Sequence, residues 1–318
     1  MIIVEISQGL GNQLFQYAAA RHLAHIRQTV LKLDPHIYSM SQHRRYGLLH
    51  FNLNAEIAPL RDVARICPLE AFPRAIRSVL PGRVSNLAIR ALNQTRLKSP
   101  YHHRTNDYVP GGPLPSLMVG RIVSERFFHF DPEVLSCPDN TCLAGYWQSE
   151  KYFKDISEII RRELTVKAPL SGKNLEVARQ IQNFNSISLH VRRGDKVTLS
   201  NHCATSAEYC TRAIHFFQTR LATPKFFVFS DELDWVRNNL SSKADLVFVE
   251  HNDAATCHED LRLMSLCKHN IIAPSSFSWW GAWLNNNPDK IVVRPRAWLN
   301  MSNHDTKDAL PPDWIVIE

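Results

Sequence analysis

The chain has 318 residues, 44% of them hydrophobic, and a formal charge of +7 at pH 7. That length suffices for one large or two ordinary α/β domains with a sizeable core. No run approaches the roughly 18–20 consecutive apolar residues of a membrane-spanning helix, and Met1 leads straight into Ile2-Ile3-Val4-Glu5-Ile6 with no basic leader, so neither signal peptide nor anchor is expected and the expected location is the cytoplasm.

Residues 2–6 alternate as a strand, and Ser7-Gln8-Gly9-Leu10-Gly11-Asn12 follows as a turn. A helix is predicted over 13–26, where Leu14, Phe15, Ala18, Ala19 and Leu23 recur at helical spacing. A second strand at 29–33 ends at Asp34-Pro35, which completes a βαβ unit and opens a parallel α/β fold. Residues 71–106 then carry seven cations (Arg74, Arg77, Arg83, Arg90, Arg96, Lys98, Arg104) and no Asp or Glu, an excess equal to that of the whole chain. Within that segment Val84, Leu87, Ala88, Ala91 and Leu92 share one helical face, and residues 99–117 read as a loop. A strand at 142–147 precedes a helix at 155–164, and Lys167-Ala168-Pro169-Leu170-Ser171-Gly172 marks a boundary. Beyond it, strands at 187–191, 225–229, 246–250, 270–273 and 290–293 alternate with helices at 206–221, 232–240, 258–267 and 278–284. The expected architecture is two Rossmann-like parallel α/β domains, 1–168 and 169–318, facing across a cleft, with a basic helical insert at 71–106.

Chemistry concentrates at predicted strand ends, where open α/β sheets bind ligands. His190-Val191-Arg192-Arg193-Gly194-Asp195 places two arginines at such an end, a costly arrangement unless they meet an anion. The planar fork of Arg192 suits a phosphate, with Asp195 orienting one arginine while the other faces ligand; a plain Arg–Asp bridge is the alternative. Ser275, Ser276, Phe277 and Ser278, between a strand and a helix, offer N–H and O–H donors to a pyrophosphate. Ordinary helix capping by Ser276 or Ser278 is the competing account. Trp279, Trp280 and Trp283 on that helix read as core rather than as a sugar platform. Ser230-Asp231 at another strand end and Asp260 at a helix start offer carboxylates to a guanine edge or a ribose diol.

Gly9-Leu10-Gly11-Asn12 lets backbone approach a phosphate and adds an amide donor. With Asp34 it also resembles a dinucleotide fingerprint, but Leu14 stands where the third glycine belongs. The seven cysteines form neither a CxxC pair nor a zinc pattern, which predicts free thiols. No Asp-x-Asp occurs, so neutralisation of a diphosphate by Arg192 and a helix end, without a metal or other cofactor, is expected.

Together GLGNQLFQYAAAR (9–21), HVRRGD (190–195), FFVFSDELDW (226–235) and EDLRLMSLCKHNIIAPSSFSWWGAWLN (259–285) resemble the α-1,2-fucosyltransferases, family 11 of the glycosyltransferases. The α-1,6- and protein O-fucosyltransferases resemble the chain only in the His-x-Arg, Asp and Ser-Ser elements. The resemblance implies a GT-B fold, GDP-β-L-fucose as donor, no metal, and inversion to an α-1,2 linkage on the 2-OH of a galactose-type acceptor in an oligosaccharide, surface polysaccharide or glycolipid precursor. Carried over by position, Arg192 would grip the β-phosphate, His190 would line the donor site and Asp260 would contact the guanosine. Ser275, Ser276 and Phe277 would hold the pyrophosphate, Gly11 and Asn12 would close over the fucose, and Ser230 and Asp231 would flank the nucleotide. The first domain would serve the acceptor and the second the donor.

Where the α-1,6 relatives have a catalytic Glu ten residues after the motif histidine, Ser200 stands here; His190 and Asp195 remain open as bases. The cationic segment is either a solvated face or a surface that rests on anionic lipid and meets a lipid-linked acceptor. It lacks interleaved aromatics, so nucleic acid is not an expected partner. A fucosyltransferase of another linkage and a catalytically silent sugar-nucleotide or glycan-binding protein are the alternatives.

Overall fold

The computed structural model describes residues 1–39, 45–66, 122–126, 128–194, 203–240, 244–299 and 305–317. Residues 71–106, the loop at 99–117, Cys67, Asp195 and Ser200 lie outside the described residues.

Two sheets organise the chain. The first holds β1 (Ile2–Glu5), β2 (Leu31–Asp34), β3 (Glu56–Ile57), β4 (Ile122–Ser124) and β5 (Thr141–Ala144), in the order β3-β2-β1-β5-β4. The second holds β6 (Asn185–Val191), β7 (Pro224–Ser230), β8 (Asp245–Phe248), β9 (His269–Ile271), β10 (Val292–Pro295) and β11 (Ile315–Ile317), in the order β11-β10-β9-β6-β7-β8. Every pairing within them is parallel. The central strands explain why: Ile2, Ile3 and Val4 of β1 and Phe226, Phe227, Val228 and Phe229 of β7 are buried on both faces, as a continuous apolar run requires. The second sheet starts at β6 in its middle and winds outward in both directions, whereas the first winds outward from β1 to β3 and then crosses to the far edge at β4 before returning to β5 beside β1. Strand order therefore reverses between β1 and β5 and again between β6 and β9, and a doubly wound sheet opens its binding crevice at the carboxyl ends of such a pair.

The described helices are α1 (Leu10–Ile26), α2 (Leu60–Ile66), α3 (Ser157–Glu163), α4 (Gly172–Asn183), α5 (Ala207–Gln218), α6 (Leu233–Asn239), α7 (Cys257–Leu266) and α8 (Ser276–Leu284). α1 is buried around most of its circumference because it packs on the first sheet and against α8 at once. The Phe15 ring lies 4.5 Å from Trp279 and 5.0 Å from Trp280, and Phe153 stacks on Trp280 at 5.3 Å. Trp279, Trp280 and Trp283 are thus core, each buried ring contributing roughly 1.5–3 kcal/mol. That core is continuous from β1 through α1 and α8 to Trp298 and Trp314, so it joins the two sheets.

Several elements differ from expectation. α1 starts at Leu10, three residues early, with Gly9 extended as its N-cap. The amides of Gln13 and Gln16 fold back to satisfy the turn: Gln13 Nε2 donates to Gln8 O at 2.9 Å, and Ser7 N donates to Gln16 Oε1 at 2.9 Å. Gly11 and Asn12 consequently sit in the first helical turn. α8 starts at Ser276, and the cap is Ser275 rather than Ser276 or Ser278, since Ser275 accepts from Phe277 N. The second sheet has six strands where five are predicted; β11 is a three-residue edge strand, half exposed at Ile315 and Val316. α4 is also unanticipated, because it buries only Ala178 and Ile181 and reads as polar. The described cysteines are free thiols.

Candidate active site

The carboxyl ends of β6, β7 and β9 form one corner. Val191 stands beside Ser230, and Leu189 beside Ile271, so Arg192–Gly194, Ser230–Asp231 and Ala273–Ser276 leave the sheet together. Asp231 organises it. Its Oδ1 accepts from Arg193 N at 3.0 Å, and its Oδ2 pairs with Arg192 Nη1 at 3.0 Å. A Cβ on Gly194 would come within 2.4 Å of that same oxygen, which accounts for the glycine. Arg193 is taken up by protein: its guanidinium lies 3.8 Å over Trp235, and Nη1 donates to Thr205 O at 3.0 Å. Arg192 is a guanidinium oriented by the Asp231 carboxylate at the crevice, while Asp195, expected to orient one of the two arginines, lies outside the described residues. Ser230 Oγ accepts from Glu232 N at 2.9 Å and so shapes the strand-end turn.

His190 precedes this corner and is 6% exposed, its ring 5.7 Å from that of Phe277. Burial, reinforced by the Arg192 charge, holds its pKa down to about 3. The imidazole is therefore neutral near pH 7, and its Nδ1 has no partner among the described residues.

The start of α8 meets the first lobe. Ser276 Oγ donates to Asn12 Oδ1 at 2.7 Å, and Gln148 Nε2 donates to the same oxygen at 3.0 Å. A Cβ on Gly11 would fall 2.4 Å from the Ser276 carbonyl carbon and 2.5 Å from Phe277 N. Gly11 thus admits the backbone of α8. Two helix amino-termini, each carrying a partial positive charge, abut as a result. The turn ahead of α1 holds Gln8 at φ 66, a left-handed conformation costing roughly 1–2 kcal/mol for a residue with a Cβ. Gln8 O anchors it by accepting from Gln13 Nε2 at 2.9 Å and Tyr38 Oη at 2.7 Å.

On the first sheet, Glu125 follows β4 and is 6% exposed. It accepts from Tyr146 N at 2.7 Å and Trp147 N at 2.9 Å. Burial outweighs those two hydrogen bonds and raises its pKa to about 7. The chain bends over this carboxyl, with Trp147 at φ 58, and the bend carries Gln148 to Asn12. Sequence reasoning missed both Glu125 and Gln148. Neither stands in a periodic pattern, and only sheet order brings them to the site.

Asp260 lies in the first turn of α7, where its Oδ1 accepts from Asn252 Nδ2 at 2.7 Å and burial raises its pKa to about 6. Asn252 is tied to Asn174 of α4, which also holds His251 at 2.8 Å. α7 packs on α8 where a Cβ on Gly281 would come 2.9 Å from Met264 Cβ, a fit that sets their first turns side by side. His258 beside Asp260 stacks on His50 of the first lobe at 3.7 Å. Arg192, His190, Asp231, Ser276, Phe277, Gly11 and Asn12 are thus one linked set, with Asp260 on the adjoining helix.

The sequence matches the profile of Glycosyl transferase family 11 over residues 114–318. It is 30% identical to an alpha-1,2-colitosyltransferase of Escherichia coli, covering 100% of this chain and 99% of that protein. It is 30% identical to the O-antigen biosynthesis glycosyltransferase WbnK of Escherichia coli, covering 98% of each. A galactoside alpha-(1,2)-fucosyltransferase 1 of Leontocebus fuscicollis is 29% identical over 154 residues, 45% of this chain and 42% of that one. With the GLGNQ turn, the His190–Gly194 strand end and the double-serine helix start assembled at one crevice, the chain belongs to glycosyltransferase family 11.

Proposed function

We propose that this enzyme transfers L-fucose from GDP-β-L-fucose to the 2-OH of a galactose-type residue, inverting to an α-1,2 linkage without a metal or other cofactor. The observation that carries this reading is the convergence of the Arg192–Asp231 corner and two abutting helix amino-termini at the strand-order reversal of the second sheet. Such a notch suits a diphosphate. In a single displacement negative charge grows on the departing GDP, and Arg192 with the helix ends stabilises it. Asp260 takes the guanine edge, and Ser230 and Asp231 flank the nucleotide. His190, with its pKa near 3, is too weak a base for a sugar hydroxyl and lines the donor pocket as a neutral group. A loose, oxocarbenium-like step lessens the demand for a base.

The first lobe serves the acceptor, a glycan of surface polysaccharide or glycolipid type, in keeping with the O-antigen role in the WbnK name. The cations of 71–106 provide a surface for an anionic membrane carrying it, and greater retention on anionic than on neutral vesicles tests that contact. A second donor has specific support: the full-length relative is named for colitose, which is L-fucose lacking its 3-OH. The test offers labelled GDP-fucose and GDP-colitose with a panel of β-galactosides in EDTA and assigns the product linkage by NMR. An α-1,2 product from either donor is expected. Donor binding without turnover would instead mark a silent binder, and loss of transfer in EDTA would remove the metal-free mechanism.

A further inference from the structure

Asn12 reaches the site as part of a hydrogen-bond chain whose direction is set far away in sequence. Trp298, 5% exposed, points its indole Nε1 at Gln148 Oε1, 3.1 Å away. An indole N–H only donates, so the oxygen of the Gln148 amide must face Trp298. The other end of that amide, Nε2, then donates to Asn12 Oδ1 at 3.0 Å. The same oxygen takes the Ser276 hydroxyl proton at 2.7 Å. Reversing either amide would set N–H against N–H or oxygen against oxygen, so the polarity runs one way, from Trp298 through Gln148 to Asn12. Glu125 keeps Gln148 in register by holding the two preceding backbone N–H groups at 2.7 and 2.9 Å.

We infer that Trp298 and Gln148 are positioning residues: they fix the Asn12 amide so that its NH2, and not its carbonyl, faces the outer phosphate of the donor. This rests on the donor-site reading above and adds to it a residue pair and a division of labour. Ser276 spends its hydroxyl proton on Asn12, so the expected Ser276 donor to the pyrophosphate is replaced by Asn12 Nδ2 and the backbone N–H groups opening α8. No described residue accepts from Asn12 Nδ2. An amide turned the wrong way would offer an oxygen to an anionic oxygen, which converts an attraction into a repulsion.

The test compares GDP with GMP, which lacks the outer phosphate, by calorimetry on the full-length protein and three variants. Trp298→Phe removes the donor that sets the polarity, and Gln148→Met keeps the volume without hydrogen bonds; neither alters charge. Each should weaken GDP about tenfold while changing GMP less than about twofold. Gln148→Glu, which only accepts, turns the Asn12 NH2 inward and should weaken GDP further than Gln148→Met. The relay is overturned if folded Trp298→Phe and Gln148→Met bind GDP as the wild type does, or if GMP weakens as much as GDP. A wild type that binds neither nucleotide overturns the donor-site reading itself, and the relay with it.

Discussion

The two crevices of this molecule are built from opposite materials. At the end of β6 the protein concentrates permanent charge: adjacent guanidinium groups, one stacked on Trp235 and one paired with Asp231 at 3.0 Å. Arginine keeps its charge at any physiological pH, so this corner is positive before a ligand arrives. At the ends of β4 and β5 the groups are amides and a carboxyl: Gln148, the Tyr146 and Trp147 N–H groups, and Glu125 raised to about 7 by burial. A diphosphate is recognised by charge, whereas a sugar is a neutral polyol recognised by the direction of hydrogen bonds. In the proposed reading the charged corner meets the diphosphate directly, while the amide corner sets the direction of the Asn12 amide at its edge. The contrast in materials also gives the two corners different vulnerabilities.

The charged corner should fail first and furthest. Arg192→Ala removes the guanidinium oriented by Asp231 and should lower transfer on the order of 10²–10³-fold, read as kcat with a melting curve confirming the fold. Near-normal turnover would show that the positive corner is not where leaving-group charge is met. The junction between the corners comes next. Gly11→Ala drives a methyl into the Ser276 and Phe277 backbone at 2.4 and 2.5 Å, which α8 cannot accept without moving. Overpacking of that kind costs roughly 1–3 kcal/mol of stability, and donor KM should rise in parallel as α8 withdraws. A variant with an unchanged melting point and KM would mean the lobes are not tightly registered there.

How much of this was legible beforehand follows the same contrast. The charged corner is local in sequence: Arg192 follows an apolar strand directly, and Ser275 and Ser276 stand between a strand and a helix, so strand-end placement could be read from pattern. The parallel α/β class was equally legible from buried runs such as Phe226–Phe229. The amide corner was not, because Gln148 and Asn12 lie 136 residues apart and meet only through the order β1-β5-β4. Gly11 was singled out as a place of close backbone approach, but only the fold shows the α8 backbone that approaches it. The start of α1 shifted by three residues because the side chains of Gln13 and Gln16 fold back over the turn before it.

The smallest effect separates the corners by the sign of their response to acid. Glu125 titrates near 4.5 when unfolded and at about 7 in the protein, so between those values the folded state keeps a proton that the unfolded chain has lost. Its contribution to stability therefore falls as pH rises from 4.5 to 7. His190 shifts the other way, from 6.5 to about 3: between those values the unfolded chain takes up a proton that the folded protein refuses, and stability falls as pH drops. Each slope is at most about 1.4 kcal/mol per pH unit, and the two oppose each other between pH 4.5 and 6.5. Replacing one group should expose the other. Glu125→Gln should lose more stability than the wild type as pH falls across that window, and His190→Gln should lose less. Asp260 and His258 also titrate abnormally, but they are common to all three proteins and drop out of the differences. Denaturant unfolding from pH 4.5 to 8 measures the slopes, and three parallel curves would mean that neither corner holds its buried group in the protonation state described here.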